Sequence, residues 1–479
     1  MNYSIIFYII GWILNIEAAF MLLPAITALI YKEESGYAFL ITMAVCLVLG
    51  LPLILRKPKN RLFYLREGFV ATSLSWITLS IMGSIPYVLS GCIPNPVDAL
   101  FETASGFTTT GASILTDVEA LPHCMLMWRS FTHWIGGMGV LVFLLIILPM
   151  SGGSHMNLMK AESPGPSVNR ILPKVQSTAQ ILYIIYVVMT LIQFVLMLLG
   201  GMPVFDSLTL TFGTAGTGGF GIKNDSCGSY STYLQVLITV FMILFGINFN
   251  FYYLLLIGRF KLAITSEEVR WYLGIIGGAI LLITANTYTR FGSFETALQQ
   301  AAFQVGSIIT TTGYSTCDFN LWPQFSKAIL ILLMFIGACA GSTGGGMKVS
   351  RILILMKTVH KELRILLHPR SIKKIQFDGK SVEHEVVRST NVFLITYILI
   401  FAVSVLLVTL DNFDLTTSFT AVAATLNNIG PGLEKVGPTG NFSEFSNGIK
   451  LVFTFDMLAG RLELFPLLLL FRKDTWKKF

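Results

Sequence analysis

The sequence predicts an all-α polytopic membrane protein, with four helix–pore-loop–helix repeats in a pseudo-fourfold arrangement behind two N-terminal transmembrane helices. Three observations carry that prediction: scarce charge, ten long apolar windows, and a short motif that returns four times. Only 12% of the 479 residues are charged, while 54% are hydrophobic. A soluble domain carries about 25% charged residues, so most of this surface does not face water.

A helical span needs about 20 apolar residues. Windows of that kind run from Ile5 to Ile30, Phe39 to Leu55, Val70 to Leu89, Met125 to Pro149, Ile181 to Leu199 and Leu234 to Ile257. They continue at Leu273 to Ala285, at Ala328 to Phe335 with Val349 to Met356, at Val392 to Leu410 and at Ile449 to Phe471. The first is too long for a signal peptide and lacks a small-residue cleavage site, so it reads as a retained helix.

Lys and Arg set the expected orientation. One set of loops holds Arg56, Lys57, Lys59, Arg61 and Arg66, then Lys160, Arg170 and Lys174, then Arg259, Lys261 and Arg270. The same side gains Lys357, Lys361, Arg364, Arg370, Lys373, Lys374, Lys380 and Arg388, and the C-terminus adds Arg472, Lys473, Lys477 and Lys478. The alternate loops are poor in both residues. Both termini are therefore expected in the cytoplasm, and the net charge of +7 follows from this bias rather than from nucleic-acid binding. The cysteines make no metal-type spacing. Cys92, Cys227 and Cys317 fall in loops expected outside, where a disulfide is conceivable and free apolar thiols are the plainer expectation.

The repeat lies between spans. Phe101 to Ser113 and Phe303 to Ser315 both place Thr-Thr-Thr-Gly nine residues after Glu102 or Gln304. Thr211 to Phe220 and Ala423 to Gly432 are looser copies. Aligning Gly111, Gly218, Gly313 and Gly430 gives separations of 107, 95 and 117 residues. Each copy opens like a short helix, with Asn95, Pro96 and Asp98 as cap, first turn and acid. Asp206, Glu295 and Asp414 stand near the other starts, where carboxylates suit the positive helix end. A helix of about ten residues spans about 15 Å, half the hydrocarbon, and its negative end then favours a cation at the centre. The Thr/Gly stretch cannot face lipid with its backbone unsatisfied. Four such strands around an axis give rings of carbonyls that replace a hydration shell. The candidate ion-coordinating residues are Thr109, Thr110 and Gly111; Thr217 and Gly218; Thr311, Thr312 and Gly313; and Asn428, Ile429 and Gly430. The expected units are residues 1–66 (the N-terminal helices), 67–160, 161–265, 266–375 and 376–479.

With these motifs the chain resembles the Trk/Ktr/HKT superfamily of potassium transporters. The resemblance extends over nearly the whole chain. It includes His133 to Gly139, Gly341 to Gly346, Leu426 to Gly432, and Met457 to Pro466. The two spans ahead of repeat one look like the TrkH branch. The resemblance implies potassium as the transported ion, a bacterial inner membrane, a homodimer with one pore per chain, and gating by a cytoplasmic TrkA-type subunit that binds nucleotides. It also associates the four aligned glycines with potassium preference. In this alignment Gly216 stands where repeat one has Thr109, and Asn428 and Ile429 where repeat three has Thr311 and Thr312, so the filter is not fourfold symmetric.

Two features suggest gating. Phe335 to Gly346 holds five glycines in twelve residues, and each glycine costs a helix interior about 1 kcal/mol. Gly341, Ser342, Thr343, Gly344, Gly345 and Gly346 are thus expected to form an intramembrane loop below the filter; close helix packing is the competing explanation. Arg461 lies inside the last apolar span, where it needs a cavity or a partner. It is expected either beside the ion path or in an ion pair with Asp456 or Glu463. Lys348 follows the loop and either reaches the cytoplasmic side or meets an acid. Asn248 and Asn250 face a cavity or bond across helices. His133 reads as a packed, hydrogen-bonded side chain. A passive gated pathway is the leading function, and transport of potassium coupled to sodium or protons is the alternative. No nucleophile–base set, metal cluster, P-loop or dinucleotide fingerprint supports an enzyme or an organic cofactor.

Overall fold

The computed structural model describes residues 1–58, 64–139, 175–369 and 374–477. Lys59, Arg61, Lys160, Arg170, Lys174, Arg370, Lys373 and Lys478, and the end of the window to Pro149, lie outside the described residues. Among those described, the strands are the short hairpin Gln376–Phe377 and Lys380–Ser381; helix accounts for the architecture.

The N-terminal helix Tyr3–Phe20 runs on through Met21 into Leu22–Tyr31 and packs along Gly36–Leu55. Small residues bring the backbones together: a Cβ on Gly50 would lie 3.0 Å from the Gly11 carbonyl oxygen. Close approach of this kind drives helix association where lipid offers no hydrophobic contrast.

Four helix–pore helix–helix repeats follow. Repeat one has Leu65–Leu89, the pore helix Pro96–Phe107 and the second helix His123–Met138. Repeat two has Val175–Leu199, Val204–Gly216, and Thr232–Phe245 with Phe249–Leu256. Repeat three has Glu267–Phe291, Phe294–Ile309, and Gln324–Ile336 with Val349–Leu367. Repeat four has His384–Val408, Leu415–Leu426, and Asn447–Arg461 with Phe465–Leu469. The pore helices have 12, 13, 16 and 12 residues, somewhat more than the ten expected.

Six helices among the described residues are long and apolar enough to cross a membrane. The rest of the ten expected windows are the second helices of the repeats, and these are not continuous rods. The sequence suggested an interruption in repeat three alone; repeats two and four break as well. In repeat two the halves meet at 88°, because Asn248 leaves the helix and caps the next segment by accepting from the Asn250 N–H at 2.9 Å. In repeat four Glu463 and Leu464 take left-handed conformations, φ 56° and 67°. In repeat one the helix stops at Gly139, φ 80°.

Polarity is inverted relative to a soluble fold. Leu29, Leu55 and Leu199 are each more than 75% exposed, while the filter threonines Thr109, Thr110, Thr217, Thr311 and Thr312 are fully buried. The Tyr3 hydroxyl donates to the Trp476 carbonyl at 3.0 Å, so the two ends of the chain lie on one face. All six cysteines are free thiols.

Candidate functional site

The pore helices begin as the sequence suggests. Asn95 accepts from the Val97 N–H at 3.0 Å and Asp414 from the Thr417 N–H at 2.9 Å. Asp206 and Glu295 lie in the first turns of the other two. No last turn carries a basic residue, so the negative end of each dipole is left uncompensated within its own helix.

All four pore helices end alike. Thr110, Gly218, Thr312 and Ile429 donate their N–H groups five residues back, to Ser105, Gly213, Ser307 and Ala424, at 2.8–2.9 Å. Thr109, Thr217, Thr311 and Asn428 donate three residues back at 3.1–3.2 Å. This is a Schellman motif, whose penultimate residue must be left-handed. The four residues have φ of 55°, 54°, 60° and 56°. Glycine is the usual occupant; a β-branched threonine there is strained by about 1–3 kcal/mol. Three of the four positions bear that strain.

This motif corrects the register of repeat two. The glycine two residues beyond the left-handed residue is Gly111, Gly313 or Gly430, with φ of 78°, 85° and 99°; in repeat two it is Gly219, φ 79°, not Gly218. Thr217, not Gly216, is the counterpart of Thr109. The strands confirm the assignment where they touch. A Cβ on Gly111 would strike the Gly218 carbonyl, one on Gly219 the Thr312 carbonyl, one on Gly313 the Ile429 carbonyl, and one on Gly430 the Thr110 carbonyl. Each filter glycine thus abuts the residue before the filter glycine of the next repeat, and the fourth strand closes on the first. Side chains break the symmetry. Thr108 bonds Thr110 at 2.8 Å and Thr310 bonds Thr312 at 2.7 Å, whereas Asn428 donates to the Thr110 hydroxyl at 3.0 Å and to the Met457 carbonyl at 2.9 Å.

Three buried side chains brace the ring, and of these the sequence assigns a packed, hydrogen-bonded place only to His133. Glu102, fully buried, pairs with Arg129 at 2.8 Å and accepts from the Ser113 hydroxyl at 2.9 Å and the Ile114 N–H at 3.0 Å. Arg129 also donates to the Gly221 carbonyl at 3.1 Å, joining strands one and two. His133 is packed and hydrogen-bonded: Nδ1 donates to the Gly106 carbonyl at 2.7 Å while Nε2 accepts from the Phe220 N–H at 3.2 Å. An ionisable residue in the middle of the pore helix, beyond the first turn where Asp98 sits, was the available signal for Glu102.

Below the ring lies the glycine loop of repeat three. The Gly345 N–H donates to the Thr311 hydroxyl at 2.6 Å and the Gly346 N–H to the Asn427 carbonyl at 3.1 Å. Both readings of the glycines hold. A Cβ on Gly344 would lie 2.8 Å from the Thr310 carbonyl oxygen, so close packing demands that glycine; Gly337, Gly341 and Gly346 have φ of 70–74°, so irregular backbone demands those. Lys348 reaches neither acid nor cytoplasm, and donates to the Gly344 carbonyl within the loop. Arg461 donates to the Thr343 carbonyl at 2.9 Å, to the Gly137 carbonyl at 2.9 Å and to the Gly136 carbonyl. It therefore ties repeat four to the loop and to the end of the second helix of repeat one. The acids proposed as its partners are engaged elsewhere: Glu463 pairs with Arg351 and Asp456 accepts from the Ser404 hydroxyl at 2.7 Å.

Four re-entrant helices that converge on one closed ring, inside a lipid-facing apolar shell, define a pore-loop membrane transport protein. The chain belongs to the TrkH family: the sequence model of that family, described as a cation transport protein, matches residues 35–478. It is 37% identical over 487 residues to the Trk system potassium uptake protein TrkH of Salmonella typhimurium, and 36% identical to that of Escherichia coli K12, with both chains fully covered in each case. The crystal structure of the potassium transporter TrkH from Vibrio parahaemolyticus superposes with a TM-score of 0.88 at 34% identity, again over the whole of both chains.

Proposed function

We propose that this protein takes up potassium across a bacterial inner membrane through a gated, channel-like, cation-selective pore. The closed ring of four filter strands is the observation that carries the reading. Carbonyls at the strand contacts and four uncompensated helix ends support it, because backbone oxygens and helix dipoles are what replace a hydration shell. Its relatives are potassium uptake proteins of the Trk system. Thr109, Thr110, Gly111, Thr217, Gly218, Gly219, Thr311, Thr312, Gly313, Asn428, Ile429 and Gly430 form the proposed filter.

The glycine loop is the proposed gate and Arg461 a fixed positive charge beside the path. At an effective dielectric near 20, a unit charge about 8 Å from a passing ion contributes roughly 2 kcal/mol, enough to lower cation occupancy beneath the filter. A homodimer, cytoplasmic termini and control by a cytoplasmic TrkA-type nucleotide-binding subunit complete the proposal; the hydrogen bond from Tyr3 to Trp476 supports placing both ends on one side.

Strict coupling to protons would require a chain of acids across the membrane. Glu102 is neutralised by Arg129, and Asp456 is held by Ser404 in repeat four. Glu17 belongs to the N-terminal helix, outside the four repeats. The test is potassium, rubidium, sodium and lithium flux from purified protein in liposomes, with and without sodium and pH gradients. Selective potassium and rubidium flux that follows their own gradient is expected. Potassium flux that needs a sodium or proton gradient would replace this reading with the coupled one.

A further inference from the structure

Glu268 is the second residue of the first helix of repeat three, Glu267–Phe291, and only 4% exposed. Its Oε1 accepts from the Ala340 N–H at 2.7 Å and from the Ser350 N–H at 3.2 Å. Those two donors flank the glycine loop. Between them the Val349 N–H donates to the Ala338 carbonyl at 3.0 Å and closes the base of the loop. Ser350 lies in the first turn of Val349–Leu367, where a helix has no carbonyl of its own to offer. One carboxylate therefore caps the helix after the loop and holds the chain before it. A buried N–H left without an acceptor is costly.

The neighbouring residue reaches outward. Glu267 pairs with Lys357 and donates its N–H to the Asp378 carboxylate at 2.6 Å. Asp378 stands at the turn of the hairpin Gln376–Ser381, and Lys357 also donates to the Gln376 carbonyl at 2.7 Å. Consecutive residues of one helix start thus hold the loop and the hairpin.

We infer that Glu268 is a positioning residue that latches the glycine loop beneath the filter, and that the hairpin Gln376–Ser381, through Asp378 and Glu267, is the lever that acts on this latch. The inference rests on the reading of the glycine loop as the gate. Glu268 serves the backbone on either side of the loop through its Oε1. It sets the flux through the loop alone, so its loss opens the path and leaves the filter unchanged.

The test is rubidium and sodium flux from the purified full chain in liposomes, without any partner. Glu268→Ala raises basal rubidium flux about tenfold, with the rubidium-to-sodium ratio unchanged. Glu268→Gln keeps an acceptor oxygen for both N–H groups and stays near wild type. Asp378→Ala gives a smaller rise than Glu268→Ala. In a chain lacking Ala340 to Gly344, Glu268→Ala adds nothing, because the latch has lost its loop. If the loop deletion raises flux but a folded Glu268→Ala does not, the latch is overturned and the gate stands. If the folded deletion leaves flux unchanged, the gate itself falls, and the latch with it. Where Glu268→Ala does not fold, Glu268→Asp decides: it keeps the charge and withdraws the oxygen, and unchanged flux overturns the latch. A Glu268→Gln chain as leaky as Glu268→Ala also overturns it.

Discussion

The four strands that follow the pore helices and the four breaks in the second helices obey opposite rules. The strands repeat one backbone. Their left-handed residues lie within 6° of each other in φ, from 54° to 60°, although threonine occupies three of the positions and asparagine the fourth. The breaks share no such backbone. One ends at a glycine, one folds back at 88° around Asn248, one opens into a glycine loop, and one turns through Glu463 and Leu464. Where four strands must close on one another, geometry is held even against side-chain strain. Where no such closure is imposed, the repeats diverge, and only repeat three carries three consecutive glycines.

The largest effect expected from this contrast lies in the loop. Deleting Ala340 to Gly344 raises partner-free flux by about tenfold, the factor supplied by roughly 1.4 kcal/mol, with selectivity unchanged. Flux that stays flat or falls in a folded deletion chain would remove the loop from the path.

The filter glycines come next. Gly219→Ala forces a Cβ onto the Thr312 carbonyl at φ 79°; so Gly219→Ala, like Gly111→Ser and Gly313→Ser, reduces discrimination of potassium over sodium in a folded protein. At Gly218 the obstacle is different, since a Cβ would meet the His133 ring. His133→Ala is therefore expected to relieve Gly218→Ala substantially and Gly219→Ala not at all. Flux ratios of the two double variants check the register of repeat two; equal relief would erase the distinction.

Arg461 is expected to give a change of several-fold. Arg461→Ala alters flux per folded molecule, and Arg461→Lys lies closer to wild type because it keeps the charge. Since Glu463 pairs with Arg351, adding Glu463→Gln to Arg461→Ala does not restore stability. Normal flux together with a lowered melting temperature would assign Arg461 a structural role.

The smallest effect concerns pH, outside the membrane. Glu33 accepts from the His123 N–H at 2.7 Å and the Cys124 N–H at 2.9 Å, and so caps the second helix of repeat one. Partial burial pushes its carboxyl up, but the Cys124 and His123 backbone donors, with their side chains, outweigh burial and hold it below the ordinary range. A carboxyl depressed in the folded state stabilises fully above its unfolded value, near 4.3, and that contribution fades as pH falls through the folded value. Glu33→Gln should lower the melting temperature by a few degrees at pH 7, and the gap should narrow on acidification. A gap that does not change with pH would contradict this role.

How much of this could be read from the residues differs between the same two regions. The spans, the caps and the Thr-Thr-Thr-Gly strands are local patterns, and the pore helices begin and end within a residue or two of their signals. Repeat two was misplaced by one because Gly218 and Gly219 are adjacent; only the end of the helix, read through Gly213 and Thr214, decides between them. The bend at Asn248 left a faint trace, an asparagine two residues after Gly246. At Glu463 and Leu464 neither residue type favours φ > 0, and the trace is Pro466, which stands in the first turn of the next helix. Glu268 was invisible. Its partners are backbone N–H groups 72 and 82 residues away, and amides carry no side-chain identity.

Ring closure also constrains how the molecule is made. The last filter strand meets the first across 318 residues, where Asn428 bonds to the Thr110 hydroxyl. A ribosome delivers the chain from its N-terminus, so three repeats enter the bilayer before the strand that seals them exists. Until then Thr110 lacks the Asn428 amide, and the edge of strand one faces an open seam with no fourth wall. The nascent protein must shelter that seam during synthesis, and a chain truncated before repeat four is expected to be a substrate for quality-control proteolysis rather than a smaller pore.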